Sequence, residues 1–382
     1  MSVPGRAAIA VTVGLLFASA MAAADQGPSR AQQAYARAIE LEAQGNHAAG
    51  LALLWEAAGL APRDADIQNR LGEALERIGA LDAAVAAYRT AASEQPAFRK
   101  ASNNLILALV KVGRGEEAVE RAQALVAAAP KDPDRYFTLG LAQSEQNVAD
   151  AIKSFRLALE LAPRHTLARY NLALVLNRAD RAPEAIEELH RALAIEPRAE
   201  THYTLGVIYW HQGDPDRAIG ALRAAVAADP TYADAHYTLG AVLKSRRDWN
   251  GASAALRRAI AIRPDLASAH YTLAQVLQLA GDRAGARAEF EEAETRRQRV
   301  QRDQEASVWT AVGAQKHEAG DLAGALESFR RAIGVSESYA PAFYQMGRTL
   351  ERLSQRDAAR AAFARAQQLN PSLVPPRDLP VK

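Results

Sequence analysis

Apolar residues in this chain recur on two scales. Locally they fall three and four positions apart, the spacing that gathers side chains on one face of a helix. A large residue beside a small one is followed three positions on by another apolar residue, as in Leu71-Gly72 with Leu75, Leu205-Gly206 with Tyr209 and Leu239-Gly240 with Leu243. Further on come an alanine, a bulky residue four later and a second alanine three after that. Ala84, Tyr88, Ala91; Ala151, Phe155, Ala158; Ala218, Leu222, Ala225; Ala252, Leu256, Ala259; and Ala359, Phe363, Ala366 all follow this rule. The pattern predicts two amphipathic helices, with small residues where the helices approach closely. The block is then copied. Pro62, Pro96, Pro130, Pro163, Pro197, Pro230 and Pro264 stand 34, 34, 33, 34, 33 and 34 residues apart, and each closes a second helix.

Between the two helices of a block lies a glycine (Gly45, Gly79, Gly113, Gly213, Gly281, Gly320) suited to a left-handed turn. Asp214, Asp282 and Asp321 follow three of these glycines and are placed to cap the second helix. A period near 34 residues marks a stacked array rather than a single globular core. The predicted fold is all-α: an α-solenoid of about ten helix-turn-helix units, within 31–64, 65–98, 99–131, 132–165, 166–198, 199–232, 233–266, 267–305, 306–339 and 340–373. Unit four has no glycine in its turn. Unit eight lacks its proline and carries five extra residues near 294–305, expected to lengthen its second helix or to break the stack.

These residues resemble the tetratricopeptide repeat, W-x2-L-G-x2-Y, then A-x3-F, then proline. Trp309-x2-Val312-Gly313 with Ala325-x3-Phe329 matches it closely, as does His202-x2-Leu205-Gly206-x2-Tyr209 with histidine in the tryptophan slot. The resemblance covers nearly all of residues 31–373 and implies a groove, lined by the first helices, that grips peptides or partner helices. The row before the large-small pair is then Asn104, Thr138, Asn171, Thr204, Thr238 and Thr272, similar to the asparagine ladder of O-linked N-acetylglucosamine transferases. An asparagine amide both donates to and accepts from a peptide backbone, whereas threonine keeps only a hydroxyl. Asn104 and Asn171 are therefore the expected anchors, facing the groove, so that replacing them weakens binding at little cost in stability. Beside them run Tyr170, Tyr203, Tyr237, Tyr271 and Tyr344.

Composition narrows the function. Forty-six basic and forty-four acidic residues leave a net charge of +2, which is no footprint of a nucleic-acid binder. Without cysteine there is no disulfide, thiol nucleophile or thiol-linked lipid. No G-x-S-x-G elbow and no glycine-rich phosphate loop occurs, so neither an enzyme nor a cofactor is expected. His202, His236 and His270 form a ladder at 34-residue spacing. Packed helices stand ~8–10 Å apart and zinc needs nitrogens at about 2 Å, so no metal site is expected there. Arg296, Arg297, Arg299 and Arg302 in the extended segment are a possible docking patch for an acidic partner.

The ends read differently. Arg6, the apolar run from Ala7 to Met21 and Ala22-Ala23-Ala24 describe a secretory signal peptide over 1–24, followed by a linker over 25–30. An uncleaved anchor is the alternative. Residues 374–382, rich in proline, are expected to form a flexible tail. The sequence thus predicts an exported bacterial scaffold, periplasmic or secreted, that binds a protein or an extended peptide. The alternative is an accessory subunit recruiting substrate to an envelope or glycan-processing enzyme.

Overall fold

The computed structural model of the chain describes residues 29–371 and 373. The segments read as signal peptide and proline-rich tail lie outside these residues, as does the linker apart from Ser29 and Arg30, the second of which opens the first helix. Among the described residues there are nineteen α-helices and no strand. The contacts divide the chain after Gly113 into two lobes.

The first lobe holds α1 (Arg30–Ala43), α2 (His47–Leu60), α3 (Ala65–Arg77), α4 (Leu81–Glu94) and α5 (Arg99–Lys111). The second begins with α6 (Gly115–Ala128), α7 (Pro133–Gln143), α8 (Val148–Leu161), α9 (Thr166–Arg178) and α10 (Ala182–Ile195). It continues through α11 (Ala199–His211), α12 (Pro215–Ala228), α13 (Ala233–Ser245), α14 (Trp249–Ile262) and α15 (Ala267–Leu279). It ends with α16 (Arg283–Glu318), α17 (Leu322–Val335), α18 (Ala340–Arg352) and α19 (Arg356–Leu369). Odd-numbered helices up to α15 open a repeat and even-numbered ones close it.

The large-small pair has a steric basis. A Cβ on Gly72 would stand 2.5 Å from the Tyr88 ring, and one on Gly140 2.6 Å from the Phe155 ring. The small residue of the first helix is the seat for the bulky residue of the second. Tyr88, Phe155, Phe329 and Phe363 are all fully buried there, and each such side chain contributes about 2 kcal/mol by leaving water. Successive repeats meet through alanines instead. Ala65, Ala91 and Ala101 form one such contact, and Ala306, Ala332 and Ala342 another. In each trio the first helix of one repeat, its second helix and the first helix of the next supply one residue apiece.

The turns use left-handed backbone at the six glycines read from the sequence, with φ from 75° to 92°. Asp180, Arg247 and Ser354 take the same conformation at φ 58°, 60° and 62° without being glycine. Asp214, Asp282 and Asp321 accept the backbone N–H three residues on and cap α12, α16 and α17. Asn46, Asn147 and Asp248 cap α2, α8 and α14 in the same way.

The five extra residues are absorbed without a turn. Arg283–Glu318 is one helix of 36 residues, serving as the second helix of repeat eight and the first of repeat nine. No glycine or proline occurs from Ala286 to Val312, so nothing in that segment ends the helix. In the rest of the second lobe, each closing helix packs against the opening helix of the next repeat. At the eighth junction those two helices are one, and that packing does not exist.

Candidate functional site

The row read as a peptide clamp divides when its side chains are followed one by one. Asn104 lies on α5 of the first lobe. Its Nδ2 donates to Asn69 Oδ1 at 3.0 Å and lies 3.4 Å from Glu73 Oε1. Asn69 donates to the same Glu73 oxygen at 3.0 Å, and Lys100 pairs with it at 2.6 Å. Arg70 joins Glu73 at 3.0 Å to Glu42 at 2.6 Å, and Arg77 holds the other Glu42 oxygen at 2.7 Å. The Glu42 side chain is only 3% exposed. Burial alone would raise the Glu73 carboxyl, but Lys100, Arg70 and Asn69 outweigh it and hold the group below its ordinary range. The Asn104 amide is therefore part of a charged network tying α1, α3 and α5 together. Sequence reasoning missed Glu42, Arg70, Glu73 and Arg77. The available signal was opposite charges and paired amides on neighbouring opening helices, 27 to 35 residues apart.

The other five positions belong to the second lobe. Thr138 and Thr272 are buried, and their hydroxyls donate to the carbonyls of Asp134 and Ser268 one turn back, at 2.9 and 2.8 Å. They lie inside the stack. Asn171, Thr204 and Thr238 are half-buried on α9, α11 and α13. Asn171 Nδ2 donates to Leu167 O at 2.8 Å. The Tyr170 and Thr204 hydroxyls meet at 3.1 Å, bridging two successive repeats. Tyr203 lies 5.0 Å, ring to ring, from Tyr232, whose hydroxyl is pushed up to about 12 by burial with Tyr203 and Tyr170 nearby. Tyr237 packs half-buried against the core, and Tyr344 lies 5.4 Å from the Phe363 ring. Tyr271 alone in this row is exposed. Two turns beyond Tyr237 on α13, Lys244 Nζ donates to Gln275 Oε1 at 2.7 Å.

The histidine ladder marks a turn-closing position. His236 Nε2 lies 3.1 Å from the Pro230 carbonyl and His270 Nε2 3.2 Å from that of Pro264. In other repeats the same slot holds Gln68, Tyr136 and Arg169, which donate to the carbonyls of Pro62, Pro130 and Pro163. The slot selects a hydrogen-bonding side chain long enough to reach back six residues. His202, half-buried, has its pKa lowered by burial and then by His190. Among the described residues no group of three His, Asp or Glu is placed to hold a metal.

The basic segment separates into two parts. Arg296 belongs to the stack: its Nε donates to His270 Nε2 at 3.1 Å, it pairs with Glu292, and His270 Nδ1 lies 2.6 Å from Glu289. Arg297 and Arg299 are exposed and pair with Glu294 at 2.9 Å and Asp303 at 3.9 Å on their own helix. Arg302 Nε lies 3.4 Å from the Gln298 carbonyl.

Comparison with known proteins fits the period and the helix pairs. Residues 35–102, 103–165, 141–201 and 170–233 match one tetratricopeptide repeat model, together more than half of the chain. The chain belongs to the tetratricopeptide repeat family. Two further models of this repeat match residues 209–265 and 340–373. A stretch of 96 residues, 25% of this tetratricopeptide repeat protein, is 29% identical to anaphase-promoting complex subunit 3 of Dictyostelium discoideum and spans 10% of that protein. A tetratricopeptide repeat protein from Parabacteroides merdae aligns with 65% of this chain and 99% of its own at a TM-score of 0.50 and 17% identity, a likeness of fold. A thermophilic repeat protein of Thermus thermophilus aligns with 47% of this chain and 98% of its own, at 25% identity and a TM-score of 0.42. No described helix is long and apolar enough to cross a membrane.

Proposed function

We propose that this tetratricopeptide repeat protein is a non-catalytic scaffold that binds a protein or an extended peptide along the opening helices of its second lobe. The observation that carries the reading is the run Tyr170-Asn171, Tyr203-Thr204 and Tyr237-Thr238. Each pair sets an aromatic ring and a polar side chain, both half-buried, on one of three successive opening helices. Half-exposed tyrosines offer a large contact area at low entropic cost and a hydroxyl at the rim. The Asn171 amide, with one N–H on Leu167 O, has a second N–H and a carbonyl oxygen for a peptide backbone. Three repeats at ~10 Å each span ~20 Å between the outer helices, enough for about six extended residues at ~3.3 Å apiece. Export through residues 1–24, placing the scaffold in the periplasm or outside the cell, is part of the same proposal.

The test is affinity isolation from an envelope extract of the native host, with tagged wild-type protein beside Asn171→Ala/Tyr203→Ala/Tyr237→Ala. A protein retained near stoichiometry by the wild type and lost from the variant is the expected result. Equal retention by both would place binding elsewhere. Mass spectrometry of the isolated chain tests export, with Asp25 expected at or near the mature N-terminus and an intact Met1 contradicting cleavage.

A further inference from the structure

The eighth junction leaves two matching faces uncovered. In repeats two and nine, an alanine from each helix receives a third from the next opening helix, as in Ala306 and Ala332 with Ala342. Repeat eight supplies the corresponding first two, Ala267, which is half-buried, and Ala293, which keeps 6% exposure where Ala91 and Ala332 have 0%, and no following helix lies on them. Instead they border an open depression of about 500 Å³, lined also by Tyr271, Phe290 and Arg297. The neighbouring rings record the missing layer. Phe155 and Phe329, the equivalents of Phe290 in repeats four and nine, are fully buried, whereas Phe290 is only partly so. Phe137 and Tyr203, the equivalents of Tyr271, each face a ring at the start of the next opening helix: His165 at 4.9 Å and Tyr232 at 5.0 Å. Tyr271 instead sits edge-on to Phe290 and is 52% exposed.

The complementary face lies further along the same helix. The residue five before the small one of each opening helix is the one that enters the preceding repeat. At Ala168, Thr201, Ala235, Ala269 and Ala342 its exposure is 2% or less. In repeat nine that residue is Val308, and it is 62% exposed. Ala293 and Val308 are the two halves of one inter-repeat contact. Fifteen residues of continuous helix, ~22 Å at 1.5 Å per residue, keep them apart within one chain.

We infer that a second copy of this chain completes the contact, each copy docking the opening face of its repeat nine onto repeat eight of the other. The occupant follows from the register. A closing helix and the next opening helix pack antiparallel, so joining Ala293 of one copy to Val308 of the other lays two α16 helices antiparallel. The same operation joins Val308 of the first copy to Ala293 of the second, giving a closed two-fold interface. The two-fold axis falls midway, beside Val300, an apolar residue that is 49% exposed. The antiparallel register also brings Arg297 of one copy opposite the stretch that carries Asp303 and Glu305 in the other, where their charges are complementary.

The chain has no cysteine, so engineered thiols report this geometry alone. The full chain carrying both Ala293→Cys and Val308→Cys, oxidised under mild conditions, is expected to form a disulfide-linked dimer. Either substitution alone should leave the chain monomeric on a non-reducing gel, because neither residue meets its own copy. Sedimentation equilibrium of the wild type should give twice the monomer mass. Val308→Asp should give the monomer mass with unchanged helical circular dichroism, since this side chain is exposed in the single chain. A wild type that is monomeric at ~50 μM would overturn the inference. So would single-cysteine chains that cross-link as readily as the double variant, or a Val308→Asp protein that keeps the wild-type mass. A foreign helix filling the depression would show itself as one of these outcomes, a monomeric chain in the absence of that partner.

Discussion

Gly72 and Arg247 illustrate how single positions carry the repeat. A methyl group on Gly72 would overlap the Tyr88 ring, which is itself fully buried and donates its hydroxyl to Glu76 at 2.9 Å. Gly72→Ala should therefore cost about 1–3 kcal/mol of stability through overpacking, read as a lower urea midpoint at unchanged slope. Arg247 occupies a left-handed turn at φ 60° where the equivalent residues in six other repeats are glycine. Glycine there relieves roughly 1 kcal/mol of backbone strain, partly offset by a freer unfolded chain, so Arg247→Gly should raise the midpoint slightly. The role of Gly72 was legible, because a small residue recurs at one phase of the period. The left-handed Asp180, Arg247 and Ser354 were not, since the flanking helices impose the conformation and the residue itself gives no sign of it.

Individual helices carry two departures from the simple array. The first is the network joining α1, α3 and α5 through Glu42, Arg70, Glu73 and Asn104. Glu73 is held below its ordinary range, so its contribution is complete above about pH 4.5 and is lost as the pH falls through its lower folded value. Hydrogen exchange in α3 should therefore be constant from pH 7 to about 5, after correction for intrinsic rates, and should accelerate at lower pH. Glu73→Gln should remove that dependence, whereas an identical pH profile in the variant would deny Glu73 the role. Asn104→Ala should cost about 1 kcal/mol, because it takes a donor from the buried Asn69 carbonyl. The second departure is α16. The missing proline showed that the repeat was altered, but the frame of the pattern set a boundary between 305 and 306 where the helix runs straight through. A sequence period counts residues, whereas a helix ends only where a residue or a contact stops it.

Across the whole molecule, the family and the helix pairs were legible from phase alone, since ten copies of a weak pattern leave little freedom. The proposed binding face was legible only in part. Thr138 and Thr272 share their phase with Thr204 and Thr238, yet burial separates them, and burial depends on the neighbouring repeats rather than on phase. Stability in such a stack is a sum of local terms, so urea unfolding should depart from two-state behaviour, with α18 and α19 exchanging before α9 to α14. Coincident protection across both sets would argue for one cooperative unit.

The central claim is that the opening helices α9, α11 and α13 form the binding face. Once the partner is isolated, calorimetric titration against wild type, Asn171→Ala/Tyr203→Ala/Tyr237→Ala and the closing-helix control Arg223→Ala/Arg257→Ala tests it most directly. The account predicts affinity weakened at least tenfold by the first variant and unchanged by the control. Unchanged affinity in the first variant, with loss in the control or on reversing charge at Arg297 and Arg299, would contradict it.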